Sequence, residues 1–445
     1  MFTSFVENVV FPLAQTYMGN GFVDQYKALM RSQWLPPKEL QQLQWHRLKA
    51  ILNHAYKNVP MYQRRFQEAG VTPDDIRSRE DMLKLFIITK EDMRAGFPQE
   101  VTARNISPRA FVYNSTSGST GNPFTFIMDK RLVAAKIALH FRNLGWAGIL
   151  PGTKHIKLWG SHDEEMGKRI FTRYCMRRLE LSCFELDDRR YQYYETIRKY
   201  KPVAIEAYTS AMVKLARMMI DDGVSDLHVP SAIVSAETLT ENNRKLIEET
   251  LHCKVFNRYG SREFGNVAQE CDVHTGLHIN CENFFIEVVS DGRHASPGEL
   301  GKLIITCFDN YAMPFIRYDT GDMGTALTSH CSCGRGLPLL GSIDGRVTEF
   351  LVMPSGKLVP YLLFNYLFEQ YGAYVTQFQI KQETRDAIHV KLVPVPSYTP
   401  EVEEQLVASF HRHLGDEMSV TIEKVDEIPL TPSGKQITIE SKVFE

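Results

Sequence analysis

Between residues 150 and 260, short apolar runs of strand character alternate with stretches of helical spacing, and few architectures accommodate that order. "PSAIVSAETL" followed by "TENNRKLIEETLHCKVFNRYG" reads as strand, turn, helix, strand. Thr240 is placed to cap the helix, and the pattern ends near His252. Residues 188–200 carry the same helical spacing. Such alternation implies βαβ units and a sheet with parallel portions.

The pattern changes twice further along. From 282 to 322 it becomes a strand-rich meander, with "FFIEVV", a "SDGRHASPGE" turn and "GKLIITCF". Beyond "GSIDGRVTEF", short strands ("EFLVM", "TQFQIKQ", "AIHVKLV", "SVTIEKV") are separated by two helices, one signposted by Thr399 as N-cap and Pro400 at the first helical position. That order describes a small α+β domain. A further helix is predicted over residues 38–58. The chain is 445 residues long, too long for one typical core. The expected fold class is therefore α/β: a large N-terminal domain of mixed sheets with packed helices over 1–344, then a small C-terminal α+β domain over 345–445.

A formal charge of -2 argues against a generic nucleic-acid surface, which needs a basic excess to neutralise phosphates. Apolar stretches such as Phe284 to Val289 fall far short of the roughly 20 residues of a membrane span. The start carries Glu7 and no basic n-region, so it does not read as a secretory signal, and a cytoplasmic location is expected. Eight scattered cysteines do not form a disulfide framework, and Cys175, Cys183, Cys253 and Cys307 read as small core residues.

"NSTSGSTGNPF", residues 114–124, concentrates hydroxyls and bare backbone at one turn. Glycine lets a backbone approach closely and expose N–H donors, which suits a phosphate chain, although the same composition serves ordinary loops. Neither a Walker A nor a Gly-x-Gly-x-x-Gly pattern occurs. Four stretches follow in one order: "SAE" at 235–237, "NRYGSREFG" at 257–265, "RYDTGD" at 317–322 and "GR" at 345–346, with "PSGK" at 432–435.

Together these motifs resemble the adenylate-forming superfamily of acyl-CoA synthetases, adenylation domains and luciferases, and most of all its phenylacetate:CoA ligase branch and capsular polysaccharide relatives. The resemblance implies that fold, and a phosphate loop in which Ser117, Gly118, Ser119, Thr120 and Gly121 hold the β- and γ-phosphates of ATP. It implies that Tyr259, with Gly260 and Ser261, lies by the adenine and that Glu263 helps hold Mg²⁺, a hard cation suited to a carboxylate and phosphate oxygens. Glu237 would lie near the nucleotide, Asp322 would accept from the ribose hydroxyls, and Arg346 would reach ribose or phosphate. Lys435 would stabilise the charge that concentrates as pyrophosphate leaves. Two positions depart from the pattern. Phe124 follows Pro123 where related loops often carry lysine, and Thr348 stands at the hinge position that is usually Asp or Lys. A hinge needs only to absorb a φ/ψ change, so rotation of the small domain stays open to this chain.

Cys271-x-x-His274 and Cys331-x-Cys333 are two short chelating pairs 60 residues apart. Three thiolates and one imidazole suit a tetrahedral, structural Zn²⁺ within 271–333, with Gly334 easing the turn and His278, Cys281 and His330 as rival ligands.

The expected activity is a two-step carboxylate ligase whose partners are ATP, a small carboxylic acid and, by the resemblance, coenzyme A. Transfer to an amine of a sugar or amino acid is the alternative acceptor, and a non-catalytic nucleotide-binding protein of the same fold is the alternative class. The acid is not legible: aromatics such as Trp146 or Tyr208 could line its pocket, although core packing is the more frequent use of a large ring.

Overall fold

The computed structural model describes residues 2–115, 124–160, 172–346, 350–355, 358–372, 374–429 and 437–443. The chain divides into two units, Met1–Thr320 with Gly324–Ile343, and Gly321–Met323 with Asp344–Glu445.

In the first unit a hairpin of β1 (Phe111–Ser115) and β2 (Thr125–Asp129) is followed by a twelve-stranded sheet. Strands β3 (His155–Trp159), β4 (Arg178–Ser182), β5 (Ala204–Tyr208), β6 (Ser231–Ser235) and β7 (Lys254–Ser261) run parallel in the order β4-β3-β5-β6-β7. The sheet continues with β8 (Gly265–Glu270), β9 (Leu277–Ile279), β10 (Phe284–Ser290), β11 (Arg293–His294), β12 (Gly301–Cys307), β13 (Tyr318–Leu327) and β14 (Leu339–Arg346), ordered β8-β9-β14-β13-β12-β10-β11. Here β8 pairs antiparallel with both β7 and β9, and β10 with both β11 and β12, so the meander predicted over 282–322 forms.

Every residue of β5 and β6 is buried, as expected of strands covered on both faces. One face, through Ile205, Ala207, Ala232, Val234 and Val255, packs on α4 (Arg190–Tyr200), α5 (Thr209–Asp221) and α6 (Glu241–Leu251). The other face meets α3 (Lys130–Trp146), where Leu144 joins Ala204, Ile233 and Phe256. Helix α6 begins because Thr240 Oγ1 accepts the Asn243 amide at 3.1 Å, and it ends where His252 turns to a φ of 50°. The predicted 38–58 helix is Pro37–Asn58, α2, following α1 (Phe22–Ser32).

Phe124, the residue that stands where related loops carry lysine, is only 1% exposed, with its ring 5.8 Å from that of Phe126. It is a core residue. Asp129 then caps α3 by accepting the Leu132 amide at 2.9 Å, while its other oxygen accepts from Tyr311 and Ala312.

The second unit carries a hairpin of β15 (Phe350–Val352) and β16 (Leu358–Pro360), helices α7 (Tyr361–Gln370) and α8 (Pro400–Leu414), and a four-stranded sheet. In that sheet β17 (Val375–Thr384) and β18 (Ala387–Pro394) pair antiparallel, flanked in parallel by β20 (Ile439–Ser441) and β19 (Ser419–Lys424) respectively. Its core joins Phe364, Phe368 and Phe410 to Ile380, Val390 and Leu392. Buried Gln382 binds both the N–H and C=O of Val352 at 2.8 Å and accepts from Ser441 at 2.9 Å, which ties β15 and β20 to β17. No helix among the described residues is long and apolar enough to cross a membrane.

Candidate active site and metal centre

Parallel strands share one carboxyl edge, and open α/β sheets bind ligands there, beside the point where the sheet changes direction. In this sheet that edge carries Trp159, Tyr208, Ser235 and Tyr259, and the change of direction falls at β7, whose chain turns back through Arg262 and Glu263 into β8. Gly260 is required at this turn, because a Cβ there would lie 2.2 Å from the Gly265 carbonyl oxygen. Ser261 Oγ accepts the Phe264 amide at 3.3 Å and closes it. The Tyr259 ring is buried, and its hydroxyl reaches Thr320 Oγ1 at 3.5 Å, while Thr320 donates to Leu303 O at 2.9 Å. The "YGSRE" turn and the "YDTGD" strand therefore touch although 61 residues separate the two side chains. Asp322 follows two residues later in β13.

Glu263 is 7% exposed and forms no ion pair among the described residues. A buried carboxylate so placed fits a hard cation that would supply the missing charge. Lys136 of α3 lies within electrostatic reach of Glu263: its ammonium donates to Arg262 O at 2.6 Å and is pushed down to about 8 by burial, with Glu263 opposing the shift. Lys136 is a site residue the motifs do not reveal. Its only sequence signal is a lysine four residues before His140 in the otherwise apolar stretch "LVAAKIALHF".

Glu237, expected near the nucleotide, follows β6 at the same edge. Its carboxylate accepts from the Ser210 amide at 2.6 Å and the Ser210 hydroxyl at 2.9 Å, a contact that fastens the start of α5. Trp146 is not at this edge, because its indole N–H donates to Gln33 at 2.9 Å inside the core, whereas Tyr208 is there, its ring tilted 31° to that of Trp159 with centroids 3.9 Å apart. Ser117, Gly118, Ser119, Thr120, Gly121, Thr348 and Lys435 lie outside the described residues. The loop's described ends are paired, Ser115 opposite Thr125, and Arg346 ends β14.

The chelating cluster forms with a different imidazole. Ligand atoms of Cys271, His278, Cys331 and Cys333 all lie within 4.8 Å of one another. Cys271 and Cys331 sulfurs are 3.6 Å apart, and Cys333 Sγ is 3.4 Å from His278 Nε2. A tetrahedron with Zn–S bonds of about 2.3 Å sets its sulfurs about 3.8 Å apart, so the spacing fits zinc and is far too long for a disulfide. His274, the expected fourth ligand, is elsewhere. Its φ of 56° turns the chain toward β9, and its Nδ1 sits 3.2 Å from Glu270 Oε2. His278 returns to the cluster because β9 pairs with β8, placing it opposite Gln269, two residues before Cys271. Of the other rivals, Cys281 is buried in the main core and His330 is exposed. Cys331→Ser/Cys333→Ser is expected to lose about one equivalent of zinc per chain by elemental analysis. Full metal retention in that variant would rule the centre out.

Comparison with known proteins places this geometry among relatives. The CapK C-terminal domain family matches residues 351–442. The chain is 30% identical to phenylacetate-coenzyme A ligase of Thermus thermophilus over 344 residues, covering 73% of this chain and 74% of the relative. It is 25% identical to protein CapK of Staphylococcus aureus, covering 89% and 88%. Among solved structures, 2-hydroxyisobutyryl-CoA ligase in its postadenylation state superposes with a TM-score of 0.76 at 19% identity over 93% of this chain and 92% of the other. That match shows the shared adenylate-forming ligase fold.

Proposed function

This chain belongs to the phenylacetate-coenzyme A ligase family and is an AMP-forming ligase, and from that premise we propose that it activates a small carboxylic acid with ATP and transfers the acyl group to coenzyme A. The observation that carries this reading is the Tyr259–Thr320 contact, which draws two of the motif segments together at the carboxyl edge of the sheet.

In the first step a carboxylate oxygen of the acid bonds to the α-phosphorus of ATP, the bond to the β-phosphate oxygen breaks, and pyrophosphate leaves. In the second the thiolate of coenzyme A bonds to the acyl carbon and AMP departs. Splitting the reaction replaces hydroxide, a poor leaving group, with AMP. The Tyr259 ring would lie by the adenine, Asp322 would accept from the ribose, and the hydroxyls and amides of residues 117–121 would hold the outer phosphates. Arg346 would meet ribose or phosphate, and Lys435 would offset charge as pyrophosphate forms. Magnesium held through Glu263 would neutralise charge on the phosphate oxygens.

Acid-dependent pyrophosphate release, measured across aryl, fatty and amino acids with and without coenzyme A, tests the proposal. Thioester formation is expected. Product that forms from an added amine with no coenzyme A would move the acceptor to that amine, and ATP binding without pyrophosphate from any acid would end the enzymatic reading for these substrates. Glu263→Gln is expected to lower the rate about 100-fold and raise the magnesium requirement, as loss of a group aimed at transition-state charge does. An unchanged magnesium titration would remove Glu263 from its role.

A further inference from the structure

The sheet face toward α3 changes character across its strands. On β6 and β7 it is apolar, with Ile233 and Phe256, beside Ala204 of β5, against Leu144. Along the same row toward β4 the face carries charge: Ile233 pairs in register with Glu206 of β5, Glu206 with Lys157 of β3 and Lys157 with Glu180 of β4, while Arg258 of β7 lies two residues nearer the carboxyl edge than Phe256. Helix α3 adds His140 and, one turn before it, Lys136, which share a helix face by their spacing. Trp159 and Tyr208 finish the strands. On the opposite face the matching positions, Ile156 and Leu158, are plain core.

Charges between a sheet and a helix are costly unless paired. Arg258 meets Glu206 at 3.0 Å and Arg178 meets Glu180 at 2.5 Å. Burial alone would raise the Glu206 carboxyl, yet Arg258, with Lys157 nearby, holds it well below the usual range. Burial pushes His140 down to about 3, so that ring stays neutral. Lys157 is the exception: it forms no ion pair among the described residues, and its ammonium lies 5.2 Å from the centroid of the Trp159 ring. An unsubstituted alkyl chain gives such a cation nothing to bind, and an unsubstituted phenyl ring offers only a π face, which Trp159 already supplies.

We propose that the acid activated here carries a second anionic group, which Lys157 meets beside Trp159 and His140 on the α3 side of the sheet's carboxyl edge. The proposal rests on the ligase reading and deepens it. Lys157 is then a specificity-determining residue, while Lys136, next to Glu263, marks the end of the same face nearer the reacting carboxylate.

The test measures acid-dependent pyrophosphate release with matched pairs: succinate against its monomethyl ester, and 4-carboxyphenylacetate against phenylacetate. The doubly charged member is expected to be favoured about 10- to 100-fold in kcat/KM, the range of one hydrogen bond to a charged group. Lys157→Met is expected to bring that ratio close to one, and Lys157→Arg to preserve most of it. Should Lys157→Met fail to fold, the wild-type ratio and its decline with added salt decide the matter. Preference for the singly charged members, or a ratio unmoved in Lys157→Met, overturns this proposal alone. Absence of pyrophosphate from every acid overturns the ligase reading and this proposal with it.

Discussion

Lys435→Ala is expected to lower acid-dependent pyrophosphate release about 100-fold or more, the usual cost of removing a charge-stabilising donor from a transition state. The melting temperature should not move, because replacement of one lysine in a polar Pro-Ser-Gly-Lys stretch removes little apolar burial. The residue's place along the chain supports the expectation. Four residues on, β20 pairs parallel with β17, and Ile380 donates to Thr438 O at 2.8 Å, so the chain from Thr438 onward is fastened to its unit. Lys435→Arg should recover part of the rate, since charge is retained but reach and shape differ. Pyrophosphate exchange that persists unchanged in Lys435→Ala would take the lysine out of the mechanism.

The largest expected effect on stability comes from Arg142→Met. Arg142 has no exposed side-chain surface and pairs at 2.7 Å with Glu282, which is 2% exposed. It also donates to Asn280 Oδ1, and its guanidinium lies 5.3 Å from the Trp146 ring centroid. Ser32 of α1 donates to the same Glu282 oxygen at 2.7 Å. One arginine thus joins α3, α1 and the segment after β9. Removing it leaves a buried carboxylate with only a hydroxyl for company, and breaking such pairs costs about 3–5 kcal/mol. Urea unfolding should show a loss of that size. The double variant Arg142→Met/Glu282→Met should recover much of it, because no charge is then left buried alone. A loss below about 1 kcal/mol in the single variant, the level of an exposed pair, would show that water reaches Glu282 in the native state.

Periodicity in the chain was enough to place α2, α4 and α6, the parallel strands between them, the meander and the order of the second unit, because a helix or a strand is chosen by residues close in sequence. Gly260 was named only through its motif, and the steric reason for it came from the antiparallel return of β8, which leaves no room for a Cβ. The identity of the fourth metal ligand was not. Cys-x-x-His spacing favoured His274, but the antiparallel return of β9 decided for His278, and pairing between strands is a long-range outcome that ligand spacing does not encode. Lys136, Lys157 and His140 were hidden for the same reason. Each is an ordinary polar residue in its own segment, and only the stacking of α3 on the sheet shows that they face one another in a place where charge is costly. The amino-acid order by itself determined which elements form and which motifs they carry. Tertiary structure alone decided which side chains lose their water together, and that loss is what turns scattered charges into a site.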